Sequence, residues 1–207
     1  MSEEADPFRH HPELRDSIVD PMASFFRTFS IAEMARLAAE HDLPSGWWHS
    51  DEERERMRLA DLAHRREGDL WVFGYGSLMW DPAIRFAEVR RARAIHHERK
   101  FMLRDIHGGR GTAELPGLMA ALDVGGGCDG LVFRIPEALV DGETEVLYRR
   151  ERIGPAYTAE FVPVRLHDGV EIEAITFVAD HTADTIAANL TEAEQVRLIA
   201  TGTGFLG

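Results

Sequence analysis

The chain has 207 residues, a mass of 23.3 kDa and a net charge of −13, from 23 Lys and Arg against 36 Asp and Glu. This length suits one domain with an appendage, and the acidic balance argues against a nucleic-acid or membrane-surface partner. Lys100 is the single lysine and Cys128 the single cysteine, which leaves little room for lysine chemistry and excludes an intrachain disulfide. Because the start is acidic and no apolar run reaches membrane-spanning length, we expect a cytoplasmic protein.

The first third of the chain has the pattern of helices. Residues 20–40 carry an apolar stripe at helical spacing, and Ser50 is placed to cap a charged helix with its acids first. Trp47 and Trp48 lie between the two segments. We therefore predict that residues 1–69 form an N-terminal helical extension packed on the main domain. The alternative is a partner-binding or dimerisation arm anchored by the two tryptophans.

From residue 70 the chain changes to short apolar runs separated by glycines, a pattern typical of strands. Strands are predicted over residues 70–76, 92–105, 115–124 and 128–136, and on either side of residues 167–169. The glycines at 125–127 predict one hairpin and residues 167–169 predict another. Helices are expected over residues 136–152 and 191–202. Because hairpins dominate, we predict an α+β fold for residues 70–207, with a small, mixed, mostly antiparallel, barrel-like sheet and packed helices.

The most informative segment is VFGYGSLMW at residues 72–80, where a buried strand runs directly into Gly-Tyr-Gly-Ser. Glycines let a ligand approach the backbone, and successive N–H groups in such a turn can bind a carboxylate or phosphate. The segment lacks the third glycine of a dinucleotide motif, the lysine of a P-loop and the flanking glycines of a nucleophile elbow. On these residues alone, a turn that binds nothing is an equally good interpretation.

Other candidate residues are ambiguous by themselves. Arg110, in a glycine-rich loop, has the planar fork that clamps carboxylates, although a solvated loop arginine is the simpler interpretation. Glu151 ends a predicted helix among arginines, and Glu114 adjoins the glycine loop; each is by default a surface acid. The ten histidines show no HExxH or H-x3-H spacing, so no zinc site is expected.

Six strings follow one another in this part of the chain: VFGYGSLMWDP, RKFMLRD, GGRGTAELPGLMAALD, GGGCDGLVFRIP, LYRRER and FVPVRL. Taken in this order, they resemble the ChaC-type gamma-glutamylcyclotransferase family, in its glutathione-specific bacterial branch, over residues 70–206. The resemblance implies a lyase that releases 5-oxoproline from a gamma-glutamyl amine, without metal or cofactor. Glutathione would be the preferred substrate and Cys-Gly the second product. The substrate's own α-amine would attack its γ-carbonyl, so the enzyme would need no nucleophile of its own.

The same resemblance assigns roles to particular residues. Glu151 would be the general base and then the general acid, with its pKa raised by burial. Asp105 and Arg110 match polar positions in the second substrate loop, and Tyr157 matches a tyrosine that orients or closes the site. The signature loop would hold the α-carboxylate and α-amine region through the backbone of Tyr75, Gly76, Ser77 and Leu78.

Two departures from the family pattern leave alternatives open. Met102 and Leu103 stand where many relatives have Trp-Gln, which we expect to alter recognition of the Cys-Gly half. The chain stops at Gly207 where relatives usually continue with a helical segment, and we expect the exposed apolar face to favour a homodimer. One alternative is a module that binds a gamma-glutamyl ligand without turnover. The other is a cyclotransferase acting on different gamma-glutamyl amines.

Overall fold

The computed structural model describes residues 6–204, and within them seven strands form one sheet. The strands are β1 Leu70–Gly74, β2 Glu88–Ala94, β3 His97–Asp105, β4 Gly117–Val124, β5 Cys128–Ile135, β6 Tyr157–Leu166 and β7 Glu171–Ala179. Their order is β1-β5-β2-β6-β7-β4-β3. A further pairing, Val72 of β1 with Ile175 of β7, closes β1, β5, β2, β6 and β7 into a five-stranded ring. The β3–β4 hairpin is attached to this ring through β7.

The β1–β7 and β4–β7 pairs are parallel and the other pairs are antiparallel. The prediction of a small, mixed, mostly antiparallel, barrel-like sheet with packed helices is therefore confirmed. The hairpin predicted at residues 167–169 is also confirmed, because β6 and β7 pair from Tyr157 opposite Ala179 to Arg165 opposite Glu171.

Five α-helices accompany the sheet in the described part of the chain: α1 Phe25–Thr28, α2 Ile31–Glu40, α3 Asp51–Leu62, α4 Val140–Glu151 and α5 Glu192–Thr201. Ser50 caps α3 as predicted, in a reciprocal capping box with Glu53. Between residues 6 and 204, no helix has the length and apolar character that crossing a bilayer requires.

The hydrophobic core explains where α4 lies. Val72 of β1 packs in a cluster that continues into α4 through Leu147 and Tyr148, whereas its neighbour Phe73 belongs to a second cluster inside the ring. β1 is thus buried on both faces, as expected for a strand with an uninterrupted apolar run. Tyr148 packs edge-on against Phe177 with ring centroids 5.6 Å apart. This packing fixes the C-terminal end of α4 on the sheet.

Two predictions about the strands are wrong. The glycines at 125–127 do not turn a hairpin, because β4 pairs with β3 and β7 while β5 pairs with β1 and β2. Both edges of β4 are occupied, so these glycines carry the chain from the β3–β4 hairpin back to the ring. The strand predicted over residues 92–105 is two strands, since β2 joins the ring and β3 leaves it to pair with β4.

Residues 6–69 contain helices and 3-10 turns but no strand, and they are tied to the sheet region by a buried carboxylate. Glu143 of α4 is fully buried and receives hydrogen bonds from Arg27 of α1 and from Arg85, whose Nε lies 2.6 Å away. Arg27 also donates to the Ala83 carbonyl at 3.0 Å. A domain boundary at residue 69 stays a prediction. Residues 205–207, part of the C-terminal end on which the dimer expectation rests, lie outside the described residues.

Candidate active site

The glycine-containing turn at the end of β1 is anchored by two inward-facing side chains. Tyr75 is 7% exposed, and its hydroxyl donates to the Phe177 carbonyl at 3.0 Å, while Leu78 packs in the core. Between them, a Cβ on Gly76 would meet no atom within 4 Å, so this backbone borders open space. The chain then enters a 3-10 turn at Ser77–Met79. The loop of residues 75–78 is therefore held rigidly while its backbone stays accessible to a ligand.

Glu151 is the last residue of α4, and its side chain is 16% exposed. Burial raises the pKa of this carboxyl, and the adjacent Arg150, with Nε 3.0 Å from Oε1, partly opposes the increase. The C-terminal end of a helix also disfavours negative charge. A carboxyl with a raised pKa can accept a proton and return it, as acid–base catalysis requires. Its interpretation as an ordinary surface acid is therefore wrong.

Arg150 joins Glu151 to the 75–78 loop. Its guanidinium is 3% exposed, donates to Ser77 Oγ at 2.9 Å and contacts the Asp81 carbonyl. It also lies 4.4 Å from the ring centroid of Phe26 in α1, a cation–π contact. Sequence reasoning did not single out this arginine, although the Arg-Glu pair at a helix end was the available signal.

The other two arginines beside Glu151 point elsewhere. Arg149 donates to the Arg27 carbonyl at 3.0 Å, and Arg152 contacts the Met57 sulfur at 2.6 Å. Of the three neighbouring guanidinium groups, only that of Arg150 therefore forms an ion pair with the carboxylate.

Two tyrosines lie beside the carboxylate. Burial, followed by the nearby Glu151 charge, raises the pKa of Tyr157 at the start of β6. Burial likewise raises the pKa of Tyr75 well above its usual value, with Tyr157 as the next cause. Both side chains are consequently neutral phenols, which donate hydrogen bonds and do not act as bases at physiological pH.

Asp105, at the end of β3, shapes the second loop and is itself 6% exposed. Its carboxylate accepts from the backbone N–H of His107 at 2.8 Å and from that of Arg110. A Cβ on Gly111 would overlap the backbone of Gly117 in β4, so the loop fits tightly only with glycine there. Asp105 therefore positions the loop that carries Arg110.

All eight predicted site residues line one cavity of about 1040 Å³. They are Tyr75, Gly76, Ser77, Leu78, Asp105, Arg110, Glu151 and Tyr157. Glu114, the competing acid, is exposed and does not line the cavity. Of the two residues that depart from the family pattern, Leu103 reaches the cavity and Met102 is buried behind it. Among residues 6–204, no three His, Cys, Asp or Glu side chains are gathered in the way a metal site requires.

One side of the cavity comes from residues before position 70, for which sequence reasoning predicted packing on the main domain or a partner-binding arm and no place in the site. Trp47 stacks on His107 with ring centroids 4.1 Å apart, and burial lowers the pKa of His107. We call the principal lining residues of this side the apolar wall: Phe25, Phe26, Phe29, Met34, Leu37 and Trp47. The interpretation of the tryptophans as an external anchor is not supported for Trp47, because its ring packs within the chain.

The chain is similar in sequence to known proteins. Residues 70–207 match the family model described as ChaC-like protein. The glutathione-specific gamma-glutamylcyclotransferase of Escherichia coli K12 is 38% identical over 159 residues, covering 76% of this chain and 68% of that protein. The Schizosaccharomyces pombe protein of the same name is 36% identical over 124 residues, covering 53% of this chain and 60% of that protein.

A crystal structure of the glutathione-specific gamma-glutamyl cyclotransferase from yeast has the same fold. It superimposes with a TM-score of 0.61 at 19% identity, covering 68% of this chain and 82% of that one.

Proposed function

The chain belongs to the ChaC-like family, and from this we propose that it is a glutathione-specific gamma-glutamylcyclotransferase that releases 5-oxoproline and Cys-Gly. The observation that carries the proposal is the position of Glu151. This largely buried carboxyl with a raised pKa lines the same cavity as the accessible backbone of the 75–78 loop. An intramolecular reaction needs this pair of features: a site that holds the γ-glutamyl group and one group that moves protons.

In the proposed mechanism, ionised Glu151 takes a proton from the substrate's α-ammonium group. The freed amine attacks the γ-carbonyl carbon and closes a five-membered ring, with the negative charge moving to the carbonyl oxygen. Glu151 then gives its proton to the departing nitrogen as the amide C–N bond breaks. The remaining extra proton on the ring nitrogen passes to the product amine, so no net proton is consumed.

The surrounding residues divide the other tasks. Backbone N–H groups of the 75–78 loop bind the α-carboxylate, and Arg110 offers a cation to the Cys-Gly half. Arg150 fixes the position of Glu151 relative to Ser77 and limits how far its pKa rises. Tyr157, a neutral phenol near Glu151 on the cavity lining, orients the substrate or closes the site.

The test is a product assay on the purified chain with glutathione. We expect 5-oxoproline and Cys-Gly in equal amounts, and faster turnover of glutathione than of gamma-glutamyl-alanine. The reverse preference would make the chain a cyclotransferase for other gamma-glutamyl amines. Tight glutathione binding in calorimetry without product would make it a binding module.

A homodimer and a cytoplasmic location complete the proposal. Val196 and Ile199, one turn apart on α5, are 60% and 47% exposed and offer an apolar contact for a second copy. Light scattering at micromolar concentration should give the dimer mass, and a monomer mass would refute it. The lone thiol of Cys128 is buried, which is compatible with a reducing compartment.

A further inference from the structure

The cavity has two chemically distinct sides. Every lining residue that precedes residue 70 is apolar, whereas all the Asp, Glu, Arg and His residues of the lining come from residue 81 onwards. The polar side includes Arg104, Asp105, Arg110, Arg150 and Glu151. The apolar wall thus faces a reaction site that already contains the charges a polar substrate would need.

The apolar wall is fixed in place by specific contacts. Trp47 stacks on His107, and the Arg150 guanidinium lies over Phe26. A Cβ on Gly154 would lie 2.9 Å from the Trp47 ring, so close packing on this side also depends on a glycine. Arg27, next to Phe26, is paired with the buried Glu143. The wall is therefore part of the site.

Glutathione leaves this wall without a matching partner. Glutathione carries two carboxylates, one ammonium, two amides and a single small thiol, and the polar side can accommodate these groups. A cavity of about 1040 Å³ lies at the upper end of ligand pockets, which span about 300–1,000 Å³. The remaining space is bordered by aromatic and aliphatic side chains, which favour an apolar occupant.

We propose that the apolar wall is a subsite for an apolar group attached to the sulfur of the gamma-glutamyl substrate. The substrate class then includes S-alkyl and S-aryl glutathione conjugates. The bond that breaks is still the γ-glutamyl amide, so the thioether is carried unchanged into an S-substituted Cys-Gly product and 5-oxoproline. This inference rests on the proposed function, because it extends the same reaction at the same site.

The experiment compares glutathione with S-methyl-, S-butyl- and S-hexylglutathione, using 5-oxoproline release as the readout. Each methylene that becomes fully buried improves binding by about fourfold. We therefore expect kcat/KM to rise at least tenfold from the S-methyl to the S-hexyl substrate. The increase should appear mainly in KM, since the reacting amide is unchanged.

A pair of variants on one helix localises the effect. Leu37→Ser replaces an aliphatic side chain of the apolar wall by a hydroxyl, and Ala35→Ser adds a hydroxyl at an exposed position of α2 outside the cavity. Leu37→Ser should lower kcat/KM for S-hexylglutathione several-fold more than for glutathione. Ala35→Ser should change neither value. If Leu37→Ser does not fold, as judged by circular dichroism, the wild-type substrate series still decides the question.

The outcomes separate the inference from the proposed function. Turnover of glutathione with a flat or falling series would overturn the subsite and leave the cyclotransferase intact. Absence of 5-oxoproline from every substrate would overturn the cyclotransferase. Calorimetry would then test the subsite alone: tighter binding of S-hexyl- than of S-methylglutathione supports it, and equal binding overturns it.

Discussion

Replacing Glu151 by glutamine tests the proposed chemistry with little change of shape. The amide oxygen of glutamine can still accept the hydrogen bond from Arg150 Nε, which lies 3.0 Å from Oε1 in the native side chain. Glutamine cannot, however, take the proton from the substrate ammonium or deliver one to the departing nitrogen. The substitution therefore removes proton transfer and preserves the cavity.

The expected loss follows from the role of this group. A positioned acid–base group contributes about 10²–10⁴-fold, so we expect kcat to fall at least ~100-fold, or ~2.7 kcal/mol in activation free energy. Residual turnover should persist, because the tethered amine keeps its large effective molarity. KM should change little, since the 75–78 loop and Arg110 are untouched.

The Glu151→Gln variant should lose activity without losing thermal stability. Because the pKa of Glu151 is raised on folding, its ionised form is less favourable in the folded state, and stability declines as pH rises above the unfolded pKa, near 4.5. Glu151→Gln removes that decline, so its melting temperature at pH 7 should equal or exceed that of the wild type. A clearly lower value would show that the ion pair with Arg150 outweighs the cost of burial.

The matched control is Glu145→Gln, on the same helix and 64% exposed at its side chain. Both variants should be assayed for 5-oxoproline and Cys-Gly together, and Glu145→Gln should retain full turnover. Turnover of Glu151→Gln within tenfold of the wild type would refute the assignment of the base. The next acids to substitute would then be the other carboxylates that line the cavity, Asp81, Asp105 and Asp184.

Three further predictions use the same assays and urea unfolding. Arg150→Met should raise the pKa of Glu151, because the guanidinium holds that pKa down, and should move the acidic limb of kcat/KM to higher pH; an unmoved limb would contradict this. Asp105→Asn weakens the acceptor that holds the second loop, and should raise KM for glutathione several-fold with a smaller effect on kcat. Gly111→Ala should destabilise the fold by ~2 kcal/mol or more through backbone overlap, whereas Gly142→Ala, which meets nothing within 4 Å, should stabilise α4 by ~0.5–1 kcal/mol.

Features encoded by neighbouring residues were predictable from the sequence. Ser50 caps α3 because the cap and its Glu53 partner are three residues apart. The strand β1 follows from its uninterrupted apolar run, and the turn after it follows from closely spaced glycines, although these residues alone left open whether the turn binds a ligand. The eight site residues come from distant segments, and the resemblance to a family assigned them to one site. The spacing of these residues along the sequence does not by itself assign them to one site.

Features that depend on distant pairing were not predictable. The glycines at 125–127 have the local signature of a hairpin, yet β4 pairs with β3 and β7. The pairing of β4 with β3 and β7 depends on closure of the ring between β1 and β7, which are about a hundred residues apart in the sequence. Likewise, the apolar stripe of α2 indicates a buried face, but the same pattern serves a solid core or a cavity wall. Only the fold shows that Met34 and Leu37 border the cavity.

The arginines around Glu151 show how a local rule can fail for a physical reason. A carboxylate flanked by guanidinium groups is expected to have a lowered pKa, but Arg149 and Arg152 are engaged elsewhere. Arg150 does contact it, yet the pKa is still raised because burial outweighs this one charge. Since Arg150 is also bound to Ser77 Oγ, the group that restrains the pKa also sets the distance from the base to the 75–78 loop. Basicity and position of Glu151 are thus controlled through one side chain, and Arg150→Met should disturb both together.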